Sequence, residues 1–311
     1  MSTAMAAFVI NTASGPGTPL EVSETFTPLG IQFWDLTLNQ PITGGLSVSL
    51  QLTNSTAPAL PAVLTRAGVY AFFGLPGLFA AEHPGAAGYG PPRTFRYVVT
   101  VLDLLGRYLP TVLVYTLDQT GALVATGSQD ALQAPLFAGV NCPVPPGVGA
   151  IRADLLDLDT NQPAAWAVLR VQVAGDTETW TGIADENGRV LVLVPYPVMQ
   201  ILQLGSPPGS GQGTFALQSW PVTVTVQYSP DQLLYPAAAF PGATWPWTTT
   251  PSLKEVLGNQ QPAQIWANLV SPQDVLSTSL MFREDLLLAS ESGSLPSPGT
   301  TLAISRAGSP P

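Results

Sequence analysis

Along most of this chain apolar and polar positions alternate with a period of two. Leu46-Ser47-Val48-Ser49-Leu50 and Val168-Leu169-Arg170-Val171-Gln172-Val173 are two such runs. They are rich in β-branched residues, the pattern of strands that turn one face to a core. Two more strands are expected at 95–102 and 220–228, each opening on an aromatic. Other apolar runs follow a glycine: Arg66-Ala67-Gly68-Val69-Tyr70-Ala71-Phe72, and Asp185-Glu186-Asn187-Gly188-Arg189-Val190-Leu191-Val192-Leu193. Asn-Gly suits the centre of a tight hairpin turn, because both residues tolerate positive φ. Loops rich in Gly and Pro, 84–92 and 205–213, precede the last strand of each set.

These elements occur twice. Asp35-Leu36-Thr37-Leu38-Asn39-Gln40-Pro41 returns as Asp157-Leu158-Asp159-Thr160-Asn161-Gln162-Pro163, identical at five of seven positions with an offset of 122. Each copy is followed by an alternating strand, a glycine turn, a Gly- and Pro-rich loop and an aromatic-led strand. Several short strands in a unit of about 110 residues predict a β-sandwich. The expected organisation is an N-terminal arm (1–19), a first sandwich (20–118), a Pro-rich linker or covering strand (119–145), a second sandwich (146–236) and a C-terminal extension (237–311).

The unit plan resembles the carboxypeptidase regulatory-like, or transthyretin-like, sandwich. That family runs from an Asp-containing strand through a turn ending in Pro to a β-rich strand and a D-x-x-G hairpin. Asp157 to Pro163, Val168 to Val173 and Asp185 to Val190 follow it; in the first unit Thr65-Arg66-Ala67-Gly68 replaces the Asp-led turn. The resemblance implies an all-β chain of two tandem Ig-like or transthyretin-like sandwiches. Residues 136–311 resemble, more loosely, structural proteins of extracellular contractile injection systems, which are phage-tail-like particles. The residues that carry this are a Pro-Pro-Gly near 145–147, Pro163 to Val171, Asp185 to Pro197 and Leu280 to Leu288. It implies a cap, collar or baseplate-associated component.

The extension has its own signals. Thr250-Pro251-Ser252-Leu253-Lys254-Glu255-Val256-Leu257-Gly258 predicts one short helix, with Thr250 as N-cap, Pro251 as first helical residue and Gly258 as stop. Residues 280–288 and 301–304 are expected to be strands added to a sheet edge of this chain or a neighbour.

Charge changes the picture. Only 10 Lys and Arg and 20 Asp and Glu occur in 311 residues, about 10%, where ordinary soluble domains carry about 25%. Mean hydropathy is +0.27. A fold with so few charges presents a surface prone to association, which a place in an assembly resolves. The net charge of −10 argues against nucleic acid and anionic membranes. Met1 to Ser14 lacks the basic start and long apolar core of a secretory signal, and no apolar run is long enough for a membrane span, so a cytoplasmic location is expected.

Little chemistry is on offer. There is one histidine, His83, in a Pro-Gly turn, and one cysteine, Cys142, expected to act as a small buried hydrophobe. Zinc sites rich in His or Cys and two-histidine motifs lack their residues, and a Ser-His-Asp triad would have to use His83, whose turn has no nucleophile elbow. Gly209-Ser210-Gly211-Gln212-Gly213 has no following Lys and reads as a hairpin tip. Asp157, Asp159 and Asn161 stand at i, i+2 and i+4 and form a candidate calcium site, though a loop signature would add a glycine and a distal Glu. The competing expectation is that they cap a turn. Trp34, Trp166, Trp180 and Trp220 are expected in the core. Trp245, Trp247, Trp266 and Phe282 are candidate interface anchors, since large aromatics dominate interface energetics.

The chain is thus expected to be a non-enzymatic structural subunit without a cofactor. Its partners would be other subunits of a large assembly, copies of itself included. The alternative is a carbohydrate- or surface-binding sandwich that uses the Trp-rich segment.

Overall fold

A computed structural model describes residues 7–8, 25–83, 93–124, 132–197, 218–268, 270–291 and 301–306. The predicted loops at 84–92 and 205–213, nearly all of the arm 1–19 and the final residues 307–311 lie outside this set. The described chain is nearly all β and forms two compact units.

The first unit comprises residues 1–105, 110–136 and 235–254. Its strands are β1 (Ala7–Phe8), β2 (Thr25–Phe26), β3 (Leu29–Asp35), β4 (Gln40–Pro41), β5 (Leu46–Leu52), β6 (Leu60–Pro61), β7 (Val63–Leu64), β8 (Val69–Phe72), β9 (Thr94–Asp103), β10 (Thr111–Asp118) and β11 (Gln133–Leu136). One sheet runs β10-β9-β5-β6; the other runs β11-β3-β8-β7, with β4 on β3. Alternation sets the inner faces. Ile31 and Phe33 of β3, Tyr70 and Phe72 of β8, and Leu50, Val99, Leu113 and Tyr115 of the other sheet are all buried. A one-turn helix, α1 (Phe79–Glu82), follows β8. Its buried Glu82 carboxylate accepts the backbone N–H groups of Gly74 and Leu75 at 2.9 and 2.7 Å.

The second unit comprises residues 106–109, 137–234 and 255–311. It holds β12 (Val148–Asp157), β13 (Gln162–Pro163), β14 (Val168–Val173), β15 (Thr179–Ile183), β16 (Arg189–Pro195), β17 (Ser219–Gln227), β18 (Pro262–Ile265), β19 (Leu276–Met281), β20 (Leu286–Leu288) and β21 (Thr301–Arg306). β12 pairs with β16 on one side and with β20 and β21 on the other. β14 lies between β15 and β17, and β17 pairs also with β18 and β19. Because β18 pairs with β21 as well, the two halves form one continuous sheet wrapped around a single core.

The repeat seen in the sequence is a repeat of topology. β3, β4 and β5 stand 122 residues before β12, β13 and β14, and the pairings β3–β4, β3–β8, β5–β6 and β5–β9 recur as β12–β13, β12–β16, β14–β15 and β14–β17. The closing strand recurs too. β11 lies parallel to β3 with Gln32 opposite Gln133, and β21 lies parallel to β12 with Asp154 opposite Thr301. Asp154 stands 122 residues after Gln32, so the register is the same.

This divides the expected extension. Residues 235–254 belong to the first unit and 255–311 to the second. The single strand expected at 280–288 is two, β19 and β20, and both pair within this chain. Residues 133–136, expected in the linker, form β11. The helix α2 (Leu253–Gly258) starts later than expected, because Ser252 is occupied in a bridge to Val112 and the Thr250 hydroxyl donates to the Pro246 carbonyl at 2.8 Å. None of the described helices is long and apolar enough to cross a membrane.

Candidate functional site

The carboxylates proposed for calcium are engaged in a turn. Asp157 is completely buried. Its Oδ1 accepts the Asp159 N–H at 2.9 Å, and its Oδ2 accepts the Thr160 hydroxyl at 2.9 Å. Asn161 follows with φ of 52°, which returns the chain to β13. The first copy is built alike: Asp35 Oδ1 accepts from Thr37 and Leu38, and Asn39 has φ of 49°. Asp159 is exposed and its Oδ2 accepts the Arg306 N–H at 3.1 Å, which ties the turn to β21. Among the described residues no three His, Cys, Asp or Glu side chains converge as a metal site.

A second turn is shared as well. In 185–189 the Asp185 carboxylate accepts the N–H groups of Asn187 and Arg189, and Gly188 has φ of 77°. In 65–69 the Thr65 hydroxyl takes that role toward Val69, and Gly68 has φ of 75°. The segment 118–122, unmarked in the sequence reading, is a third copy: Asp118 accepts from Thr120 and Ala122, and Gly121 has φ of 81°.

The aromatic candidates separate. Trp266 is buried in the second unit, where its indole N–H donates to the buried Ser305 hydroxyl at 2.8 Å. Phe282 packs beside Tyr196 and Trp220 at centroid distances of 5.1 and 6.5 Å, with the Arg283 guanidinium 5.1 Å above its ring. Trp245 is 65% exposed. Of the four tryptophans expected in the core, Trp166 is buried while Trp34, Trp180 and Trp220 are half-buried. His83 stacks on Phe79 at 4.4 Å, and Cys142 is half-buried against Ala150, Leu191 and Leu193.

Trp247 lines a cleft on the first unit. The outer face of the sheet β10-β9-β5 carries Val98, Val112 and Val114, and the segment 235–247 covers them through Ala237, Phe240 and Trp247. Beside this dry patch the same face turns polar. Ser49, Gln51 and Thr100 form the floor of an open cleft of about 180 Å³, walled by 240–244 and Trp247. Ser49 and Thr100 hydroxyls bond to each other at 2.7 Å, and the Gln51 amide donates to the Ala57 carbonyl at 3.2 Å. The wall is fixed by consecutive turns: Ala243 N–H to the Phe240 carbonyl, Trp247 N–H to the Thr244 carbonyl, and Thr250 N–H to the Pro246 carbonyl.

The sequence held a signal for this cover. Val112-Leu113-Val114-Tyr115 is apolar on both faces, which calls for packing on both sides of the strand. It did not say which segment would supply the packing.

No protein-family model and no curated protein sequence matches this chain. Solved structures with partial likeness include the C-terminal fragment of the pilus adhesin SpaC from Lactobacillus rhamnosus GG, at 12% identity over 89% of this chain and 96% of that one, with a TM-score of 0.20. The Bacillus anthracis TIE protein matches at 12% identity over 83% of this chain and 44% of its own, also at 0.20, so the chain spans less than half of that structure. A putative adhesin from Bacteroides ovatus matches at 7% identity over 64% of this chain and 78% of its own, at 0.17. At these scores the likeness says nothing of what this chain binds.

Proposed function

We propose that this chain is a non-catalytic structural subunit of a large protein assembly. The observation that carries the reading is an apolar surface on a fold with very few charges. Single exposed apolar side chains are ordinary, but contiguous ones are not. Leu36 and Leu38 sit 45% and 44% exposed on the turn after β3, and Leu104 and Leu105 sit 68% exposed on the turn after β9. β5 begins opposite the end of β9, with Leu46 against Asp103, and the link from β3 to β5 folds back on the end of β3 through β4, with Pro41 against Trp34, so both turns lie at the same end of the first sandwich. Val63 and Leu64 of the edge strand β7 are also exposed. Contact with other subunits removes this surface from water.

The residue inventory supports a non-catalytic role. The single histidine rests on Phe79 beside a Glu82 carboxylate that is already bonded to the Gly74 and Leu75 N–H groups, and the single cysteine packs in a small apolar cluster. We assign the assembly to the phage-tail-like class, as a cap, collar or baseplate-associated component built from transthyretin-like modules and assembled in the cytoplasm. This finer placement rests on the sequence resemblances alone. The test is the mass of the native species, by size exclusion with light scattering after gentle lysis of the source cells. A particle in the megadalton range is the expected result. A free species of 32.5 kDa that stays monomeric when concentrated overturns the proposal.

A further inference from the structure

We infer that the cleft beside Trp247 is a binding site for a neutral saccharide, one sugar ring deep. Three features set the class of ligand. None of its lining residues is ionisable, so a charged group would enter at the cost of its hydration with no counter-charge to offset it. Its two sides differ in kind. The floor presents the hydroxyls of Ser49 and Thr100 and the amide of Gln51, while the wall presents the indole of Trp247 and the ring of Phe240. A pyranose has the same division, with hydroxyls around its rim and a C–H face that packs on an aromatic ring. The third feature is rigidity. Trp247 is held by packing on Val98, Val112 and Val114 and by the turns of 237–250, so little ordering remains to be paid on binding.

The polar floor distinguishes this site from the dry patch next to it. Had the sheet face been meant only for the covering segment, apolar residues at 49, 51 and 100 would have extended the seal. Instead the hydroxyl pair Ser49–Thr100 is left at the base of an opening, each oxygen with acceptor capacity to spare. The inference stands apart from the assembly reading, since it concerns the outer face of one sheet and not the turns at its end.

The experiment uses the full chain labelled with 5-fluorotryptophan, with the Trp247 fluorine line assigned by its loss in Trp247→Phe. The probes are methyl α-glucoside, methyl α-mannoside, methyl β-galactoside and N-acetylglucosamine, with hexaproline as a neutral ligand of the other kind that stacks on tryptophan. At least one sugar is expected to move the Trp247 line saturably and leave the other tryptophan lines in place. Thr100→Val and Gln51→Ala, checked for an unchanged melting temperature, are each expected to weaken that response about tenfold, the loss of roughly one hydrogen bond. The proposal is overturned if no sugar moves the line, if the response survives both substitutions, or if hexaproline moves it and the sugars do not.

Discussion

Asp157 is a completely buried carboxylate, and its two oxygens are occupied by the Asp159 N–H and the Thr160 hydroxyl. Removing it leaves those donors without their partner next to the core. Asp157→Ala is therefore expected to cost about 2 kcal/mol, the scale of lost bonds to a charged acceptor, measured by denaturant unfolding. Calcium should leave the melting temperature of the wild type unchanged. A calcium-dependent rise that vanishes in Asp157→Ala would support an ion site at Asp157, Asp159 and Asn161. Glu82 gives a pH signature. Burial raises its pKa above the ordinary 4.5, against the opposing pull of the Leu75 and Gly74 N–H groups and of His83. The folded chain thus holds this proton more tightly than the unfolded one, so the stabilisation is full below pH 4.5 and fades as pH rises through the raised value. Wild type should gain stability relative to Glu82→Gln as pH falls from neutrality across that window. A difference that is flat with pH, or that shrinks on acidification, would show that Glu82 does not titrate in this way.

At the scale of elements, the D-x-x-G turn shows how one local geometry accepts two chemistries. A carboxylate at Asp185 and a hydroxyl at Thr65 fill the same place, as acceptors for an N–H four residues on. Thr65→Asp should fold with near-native stability, whereas Thr65→Ala should lose about 1 kcal/mol in denaturant titration. The glycine of the turn is not free to change. At Gly188 φ is 77°, and an added Cβ would sit 2.5 Å from the Leu155 carbonyl oxygen. Gly188→Ala should cost more than about 1 kcal/mol and more than Gly68→Ala, whose nearest obstacle is the movable Thr43 side chain at 3.1 Å. Equal costs at the two sites would show that strain, not the carbonyl, sets the penalty. Among the aromatic candidates, Trp266 is a core residue of the second unit. Trp266→Ala should lose about 3–5 kcal/mol of stability by calorimetry or denaturant, the range for a large buried aromatic.

For the whole molecule, the decisive strand is β21. Leu302 and Ile304 are fully buried in the second core, and β21 closes that unit as β11 closes the first. A chain ending at residue 300 should lose the cooperative unfolding transition of the second unit while the first keeps its own, as seen by scanning calorimetry. Retention of both transitions would mean that β21 is dispensable. The segment between β17 and β21 also spans two tasks. Part of it covers Val98, Val112 and Val114 of the first unit, and part supplies Gln260, whose amide donates to the Trp166 carbonyl and accepts the Ser229 N–H in the second.

Local pattern was enough for much of this. Period-two alternation placed β5 and β14 within a few residues, because a side chain's face in a strand follows from its parity, and β16 was placed by the glycine turn before it and β9 and β17 by the aromatics that open them. The Asp-to-Pro motif revealed the repeat, since turn geometry is imposed by adjacent residues. The helix start was misplaced for the same reason in reverse: Thr250 and Ser252 have good local roles at a helix end, but a carbonyl and a strand edge claimed them first. The cleft was legible only in part. Trp247 stood out in the sequence, while Ser49, Gln51 and Thr100 looked like any solvent face of a strand.

The sequence by itself determined the all-β class, the two-fold repeat, the turns and the shortage of charge and of catalytic side chains. Each of these depends on residue identity or on neighbours a few positions apart. Tertiary structure alone decided that 235–254 serves the first unit, that β18 to β21 complete the second, and that Trp266 is core while Trp247 lines a cleft. Those outcomes depend on which distant faces find each other. Alternation names the buried face of a strand, and carries no record of what will bury it.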